Sequence, residues 1–234
     1  MNTQTDFKGL PVAARHTVVV FGIAGLAALL YALAFQRDFA PGRILLLLAL
    51  AMGAARIKVN LFKGSTLSFL TSVVLLAVIK EGPAVAVLVG LCGVTVQTLF
   101  PSRKLVPHQL AFNAAMITLT VTASWWTYHL LPVGQRMDTI PAELTATILA
   151  SFIYFLGNSI SVSLIVALTK GLSAFQVWRR HFLFSAPSFL IAGLLSLGMF
   201  AAISSQSLFM LAGLLSVVSI AYYCSVHVTA EAVR

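Results

Sequence analysis

The chain alternates long apolar runs with short polar or turn-forming interruptions, and the runs are long enough to cross a hydrocarbon core of roughly 30 Å, which takes about 20 helical residues. Eight such runs are placed at about 17–35, 41–56, 65–80, 82–100, 110–131, 142–169, 187–204 and 208–228. Turn signals separate most of them: Pro41-Gly42, Gly82-Pro83, Pro101-Ser102, Pro132 with Gly134, and Ser185-Ala186-Pro187. The second run is the weakest, because Arg43 and Arg56 flank about a dozen apolar residues; it is either a short span with snorkelling ends or a re-entrant segment. The expected fold class is all-α, a polytopic transmembrane helical bundle of about eight spans (six to eight). Residues 1–16 form a polar N-terminal segment, 17–228 the membrane domain and 229–234 a short polar end.

Composition strengthens this picture. Of 234 residues, 59% are hydrophobic and 9% charged, and the mean hydropathy is +0.98, well above that of ordinary soluble domains. The first apolar run continues through Phe35 with no small-residue cleavage site, so it is expected to anchor the chain and not to be removed. Cys92 and Cys224 lie in or near apolar runs, and their spacing suggests neither a metal site nor a disulfide frame.

The formal charge of +9 serves topology first in such a chain. With eight spans, Lys8, Arg15, Arg56, Lys58, Lys63, Arg103, Lys104, Lys170, Arg179, Arg180 and Arg234 fall on the N-terminal side, and only Arg37, Arg43, Lys80 and Arg136 on the other. Because Lys and Arg are held on the cytoplasmic side, both termini are expected there, in a cell inner membrane. No basic run is interleaved with aromatics, so nucleic acid is not an expected partner. Gly171 to Phe184, with Trp178, Arg179 and Arg180, suits an amphipathic segment at the cytoplasmic interface, Trp178 at headgroup depth.

Catalysis within a membrane usually leaves ionisable groups at depth. Asp38, Asp138, Glu143 and Glu231 instead lie in loops or near ends, and the five His residues are scattered at interfaces. There is no His-Glu-x-x-His, Gly-x-Ser-x-Gly or phosphate loop, so no catalytic residue, metal ligand or cofactor is assigned and an enzyme is not expected. Glu81, in a short turn next to Lys80, is expected to form an external ion pair of little weight. Neutral polar groups remain at depth, chiefly Gln97, Asn113, Asn158, Ser159 and Ser161, with Thr118, Thr120, Thr122, Ser124 and Ser163. An amide in hydrocarbon needs partners, so these either bond between helices or converge on a small-molecule pocket. The first span carries an Ala24, Ala28, Ala32 ridge, with Gly22 and Gly25 beside it, that permits close helix approach, for internal packing or for docking another subunit.

Arg56-Ile-Lys-Val-Asn-Leu, Gly64-Ser-Thr-Leu-Ser68-Phe, Leu110-Ala-Phe-Asn113-Ala-Ala-Met, Tyr154-Phe-Leu-Gly-Asn158-Ser, Val166-Ala-Leu-Thr-Lys170-Gly, Val177-Trp178-Arg179 and Phe184-Ser-Ala-Pro187 follow one another in order. Over about residues 50–200 the sequence resembles the N-terminal membrane module that precedes HD-GYP phosphodiesterase or GGDEF diguanylate cyclase domains in bacteria. The resemblance implies a sensory module whose last helix runs into a cytoplasmic domain that makes or destroys cyclic di-GMP. The chain departs from that pattern at Val228 to Arg234, where such an effector would begin, and no His-Asp pair or Gly-Gly-Asp/Glu-Glu-Phe run is present. The expected function is a signalling module that binds a small ligand or senses membrane state and relays it to a cytoplasmic effector. Two alternatives stand beside it: the substrate-binding subunit of a small-molecule transporter, partnered by a coupling ATPase, and a ligand-free assembly protein. The bilayer is the certain partner in each case, and self-association into a homo-oligomer is compatible with all three.

Overall fold

A computed structural model describes residues 7–62, 65–100, 106–130 and 140–206. After a 3-10 turn at Phe7–Gly9 come α1 (Val12–Phe35), α2 (Pro41–Ala54), strands β1 (Lys58–Phe62) and β2 (Ser65–Ser68), α3 (Phe69–Lys80) and α4 (Pro83–Leu99). They are followed by α5 (Pro107–Leu130), α6 (Ile140–Lys170), α7 (Ala174–His181), a 3-10 turn at Leu183–Ser185 and α8 (Ala186–Ser204). The expected run at 208–228 lies outside the described residues, as do Lys63, Arg103, Lys104, Arg136 and Arg234.

Three helical stretches are long and apolar enough to cross a membrane: Val12–Phe35, Pro141–Lys170 and Ala174–Ser204, the last owing its apolarity mainly to α8. The protein is thus a helical membrane protein, its long lipid-compatible faces carried by α1, α6 and α8. On α1 the side chains of Val19, Val20, Ile23, Leu26, Leu30 and Leu33 are exposed, as a bilayer-facing surface requires.

The long helix α5 is the polar exception. It carries Thr118, Thr120, Thr122 and Ser124, all buried, and it packs against α1, α4 and α6, so it occupies the centre. Two of these hydroxyls are absorbed locally, Thr118 Oγ1 donating to Ala114 O at 2.8 Å and Ser124 Oγ to Thr120 O at 2.9 Å, the back-bonding that Ser and Thr adopt inside helices, whereas Thr122 Oγ1 is buried without a partner among the described residues. On α6, Ser151 and Ser163 do the same. Most of the buried hydroxyls are therefore spent on their own helices.

The third run, expected as helix from residue 65, becomes helical only at Phe69. The residues before it pair as an antiparallel hairpin in which Lys58 faces Ser68 and Asn60 faces Thr66, with an irregularity between Asn60 and Phe62. Alternation through Lys58-Val-Asn-Leu-Phe and the nearby Gly64 favour a strand and turn; a uniformly apolar run following them hid that signal. At 12 residues, α3 spans only about 18 Å, and β2 continues its line by about 13 Å. Non-helical backbone in such a position must be covered by protein. Here its polar groups pair with β1 and it lies against α8.

Every residue of α3 from Phe69 to Ile79 is buried, enclosed by α2, α4, α5 and α8. α2 runs the length of α4, since Arg43 near its start meets Glu81 at the head of α4 and Arg56 beyond its end lies 5.1 Å from the Phe100 ring centroid at the tail. The second run thus forms one continuous helix alongside α4. The buried stripe of α1 is Ala14, Val18, Gly25 and Ala32, which shares only Ala32 with the expected ridge. Its close approach is at Gly25, where an added Cβ would lie 2.8 Å from the backbone of Ala115 on α5.

Candidate functional site

The bundle has two chemically different ends. At the α3–α4 turn, Gln36 Oε1 accepts from the N–H groups of Ala84 at 3.0 Å and Val85 at 3.3 Å, satisfying donors that the first turn of α4 leaves without helical partners. Glu81, expected to be an exposed partner of Lys80, is instead buried and held by Arg43: Nε lies 2.9 Å from Oε1 and Nη2 3.2 Å from Oε2. Only the Nη2–Oε2 contact has hydrogen-bond geometry; Oε1 is buried without a hydrogen-bond donor, and Nε meets it as an ion-pair contact alone. Trp125 Nε1 donates to the backbone oxygen of Glu81 at 3.1 Å, and His129 Nε2 lies 2.8 Å from the oxygen of Val78, so that nitrogen carries the proton. Lys80 turns away to the ring of Phe200. The side chains here are engaged with one another, and the knot ties α2, α3, α4 and α5 together.

The opposite end contains a cavity of about 560 Å³, within the size range of small-molecule sites. Its walls are the start of α1 with the residues before it (Gly9, Leu10, Pro11, Val18), the start of α5 (Val106, His108, Gln109, Phe112, Asn113) and the end of α6 (Val162, Ile165, Val166, Thr169, Lys170). α1 and α6 both pack on α5 but scarcely meet, which leaves a groove floored by α5. Antiparallel succession explains the composition, because the first turn of α5 and the last of α6 must share an end. Polar His108, Gln109, Thr169 and Lys170 therefore stand at the mouth, and Val18, Phe112 and Val162 lie deeper along their helices. Phe7 stacks obliquely near His108, with ring centroids 5.9 Å apart.

The expected site residues divide among three places. Asn113 lines the groove and donates Nδ2 to Thr98 Oγ1 at 3.1 Å; Thr98 in turn donates to Val94 O. Gln97, next along α4, donates to Ser68 Oγ at 3.2 Å and ties α4 to the strand-to-helix junction. Asn158 is half-buried on α6, one turn from Val162 on the same stripe, and its amide makes no hydrogen bond among the described residues. Ser159 and Ser161 are both buried; Ser159 Oγ accepts from Trp178 Nε1 at 3.0 Å. The five residues therefore do not converge on one pocket. Groove residues His108, Gln109, Thr169 and Lys170 were not among those expected, although Pro107-His-Gln at one helix start and Thr169-Lys170 at the next helix end are the polar turns that this topology brings together.

Trp178 is half-buried, its ring 6.3 Å from that of Phe155, so it packs against α6. Arg179 and Arg180 remain exposed, beside exposed Phe175 and Phe184. α7 joins α6 through Gly171 at φ +66°, where the Leu172 N–H bonds back to Ala167 O at 2.9 Å. This left-handed glycine stop fixes the departure angle of the chain. Compared with protein-family models, curated proteins and solved structures, the chain matches none.

Proposed function

We propose that the protein is a sensory module of a bacterial inner membrane, with eight spans and both termini cytoplasmic, whose ligand site is the α1–α5–α6 groove and whose output element is α7. One observation carries this reading: the groove ends at Thr169 and Lys170, and the next residue is the glycine stop from which α7 departs. A ligand held at the mouth bears on the last turn of α6. Because α7 is also bound to α6 through Trp178 and Ser159, a change in that turn moves the exposed Arg179–Arg180 face as a unit. A sensor requires a ligand that favours one of two packings over the other, and a groove between helices that barely touch admits such a pair of packings.

The orientation is supported by charge. Among the described residues, Lys8, Arg15, Arg56, Lys170, Arg179 and Arg180 lie at the groove end, and the carboxylates Asp38, Glu81 and Glu143 lie at the other. The resemblance to membrane modules of cyclic di-GMP enzymes supports a cytoplasmic effector as the receiver. The test is a pair of spin labels, one on α4 at Leu88, which is exposed, and one on α7 at Gln176, in protein reconstituted in bilayers. A panel of metabolites and lipids is expected to contain at least one member that changes the inter-label distance distribution. An unchanged distribution across the whole panel overturns the sensory reading.

A further inference from the structure

We propose that the groove holds an anionic phospholipid, its headgroup at Lys170 and His108 and an acyl chain along Val18, Phe112 and Val162. The proposal rests on the reading of the groove as the ligand site and specifies its occupant. The first argument is shape. The groove is walled by α1, α5 and α6, and α1 presents Val19, Val20 and Ile23 outward, so a lipid-compatible flank adjoins it.

The second argument is the order of its walls. Polar His108, Gln109, Thr169 and Lys170 sit at the mouth and Phe112, Val18 and Val162 about one to two turns inward, beside the single amide of Asn113, which is the order of headgroup and chain in the surrounding leaflet. The third is charge. Lys170 makes no ion pair among the described residues, and every described carboxylate lies at the far end. Arg15, on α1 between Pro11 and Val18, is not among the residues that line the groove; its charge adds to the positive potential at this end. Basic pockets between helices on the cytoplasmic side are where acidic headgroups bind.

The experiment uses the full chain in a neutral detergent, read by native mass spectrometry and thermal unfolding during titration with phosphatidylglycerol, phosphatidylcholine or glycerol phosphate. Phosphatidylglycerol is expected to bind at one molecule per chain and to raise the melting temperature, and phosphatidylcholine to do neither. Lys170→Gln is expected to weaken phosphatidylglycerol binding about fivefold, whereas Lys80→Gln, the same charge loss at the other end, leaves it unchanged. Val162→Phe, which fills the chain path, is expected to lower the affinity further while the protein remains folded by circular dichroism.

Equal binding of the two lipids, an unaltered affinity in Lys170→Gln, or full competition by glycerol phosphate alone overturns the lipid assignment. The two readings fail separately. A metabolite that moves α7 without any lipid binding removes the lipid and keeps the sensor, and lipid binding with a motionless α7 does the reverse.

Discussion

Glu81 is a carboxylate whose side chain is 3% exposed, held by an arginine that is 55% exposed. Water still reaches the guanidinium, so Arg43 surrenders little hydration, but Glu81 depends on it. Arg43→Ala is therefore expected to cost about 3 kcal/mol, the lower end for stranding one partner of a buried pair. Glu81→Gln should cost less, and the double variant should recover most of the loss. A double-mutant cycle on unfolding in detergent checks this; additive losses would show that the pair is not coupled. The amides make a second contrast. Asn113→Leu loses its bond to Thr98 and is expected to cost about 0.6–1.7 kcal/mol, the range for hydrogen bonds between membrane helices. Asn158→Leu loses none and should be neutral or mildly stabilising, measured in the same unfolding assay. That both amides are unusual was legible in the sequence. Which one finds a partner was not, because it depends on the rotation of each helix against its neighbour.

Rotation is the hidden variable at the scale of elements too. In a soluble protein the apolar stripe of a helix marks its buried face, but lipid is as apolar as a packed core, so α1 is apolar on every side and hydrophobicity leaves its inner face unmarked. Small residues carried part of the missing information: Gly25 and Ala32 do face inward, although Ala24 and Ala28 are only half-buried. The hairpin at 58–68 was obscured for a related reason, since its second strand feeds directly into the buried helix α3. The contact at Gly25 yields a test of helix rotation. Gly25→Val must push against the Ala115 backbone and is expected to destabilise by about 1–3 kcal/mol. Gly22→Val, on the same helix with open space around it, should stay within about 0.5 kcal/mol of the parent. Equal losses in an unfolding titration would mean that α1 presents a different face to α5.

Across the whole molecule, the feature most plainly written in the sequence is the unequal division of charge between the two ends. Among the described residues, Lys170, Arg179 and Arg180 lie at the end where α1, α5 and α6 leave a groove, while the far end ties itself together with Arg43, Glu81, Gln36 and Trp125. The cross-element side-chain bonds of the far end have no counterpart across the α1–α6 gap among the described residues. The topology behind this can be tested by counting crossings. In a variant without native cysteines (Cys92→Ser, Cys224→Ser), Phe39→Cys and Ser173→Cys are treated with a membrane-impermeant maleimide on intact cells. Position 39 follows one crossing and 173 follows six, so label is expected at 39 from outside and at 173 only after permeabilisation. The proposed eight-span scheme counts α2 as a crossing. External labelling at both positions would mean that one intervening element, α2 or the β2–α3 unit, fails to traverse the bilayer, and would place the groove and the Arg179–Arg180 face outside the cell. External labelling at 173 alone would invert the protein, and the positive-inside argument would fail with it.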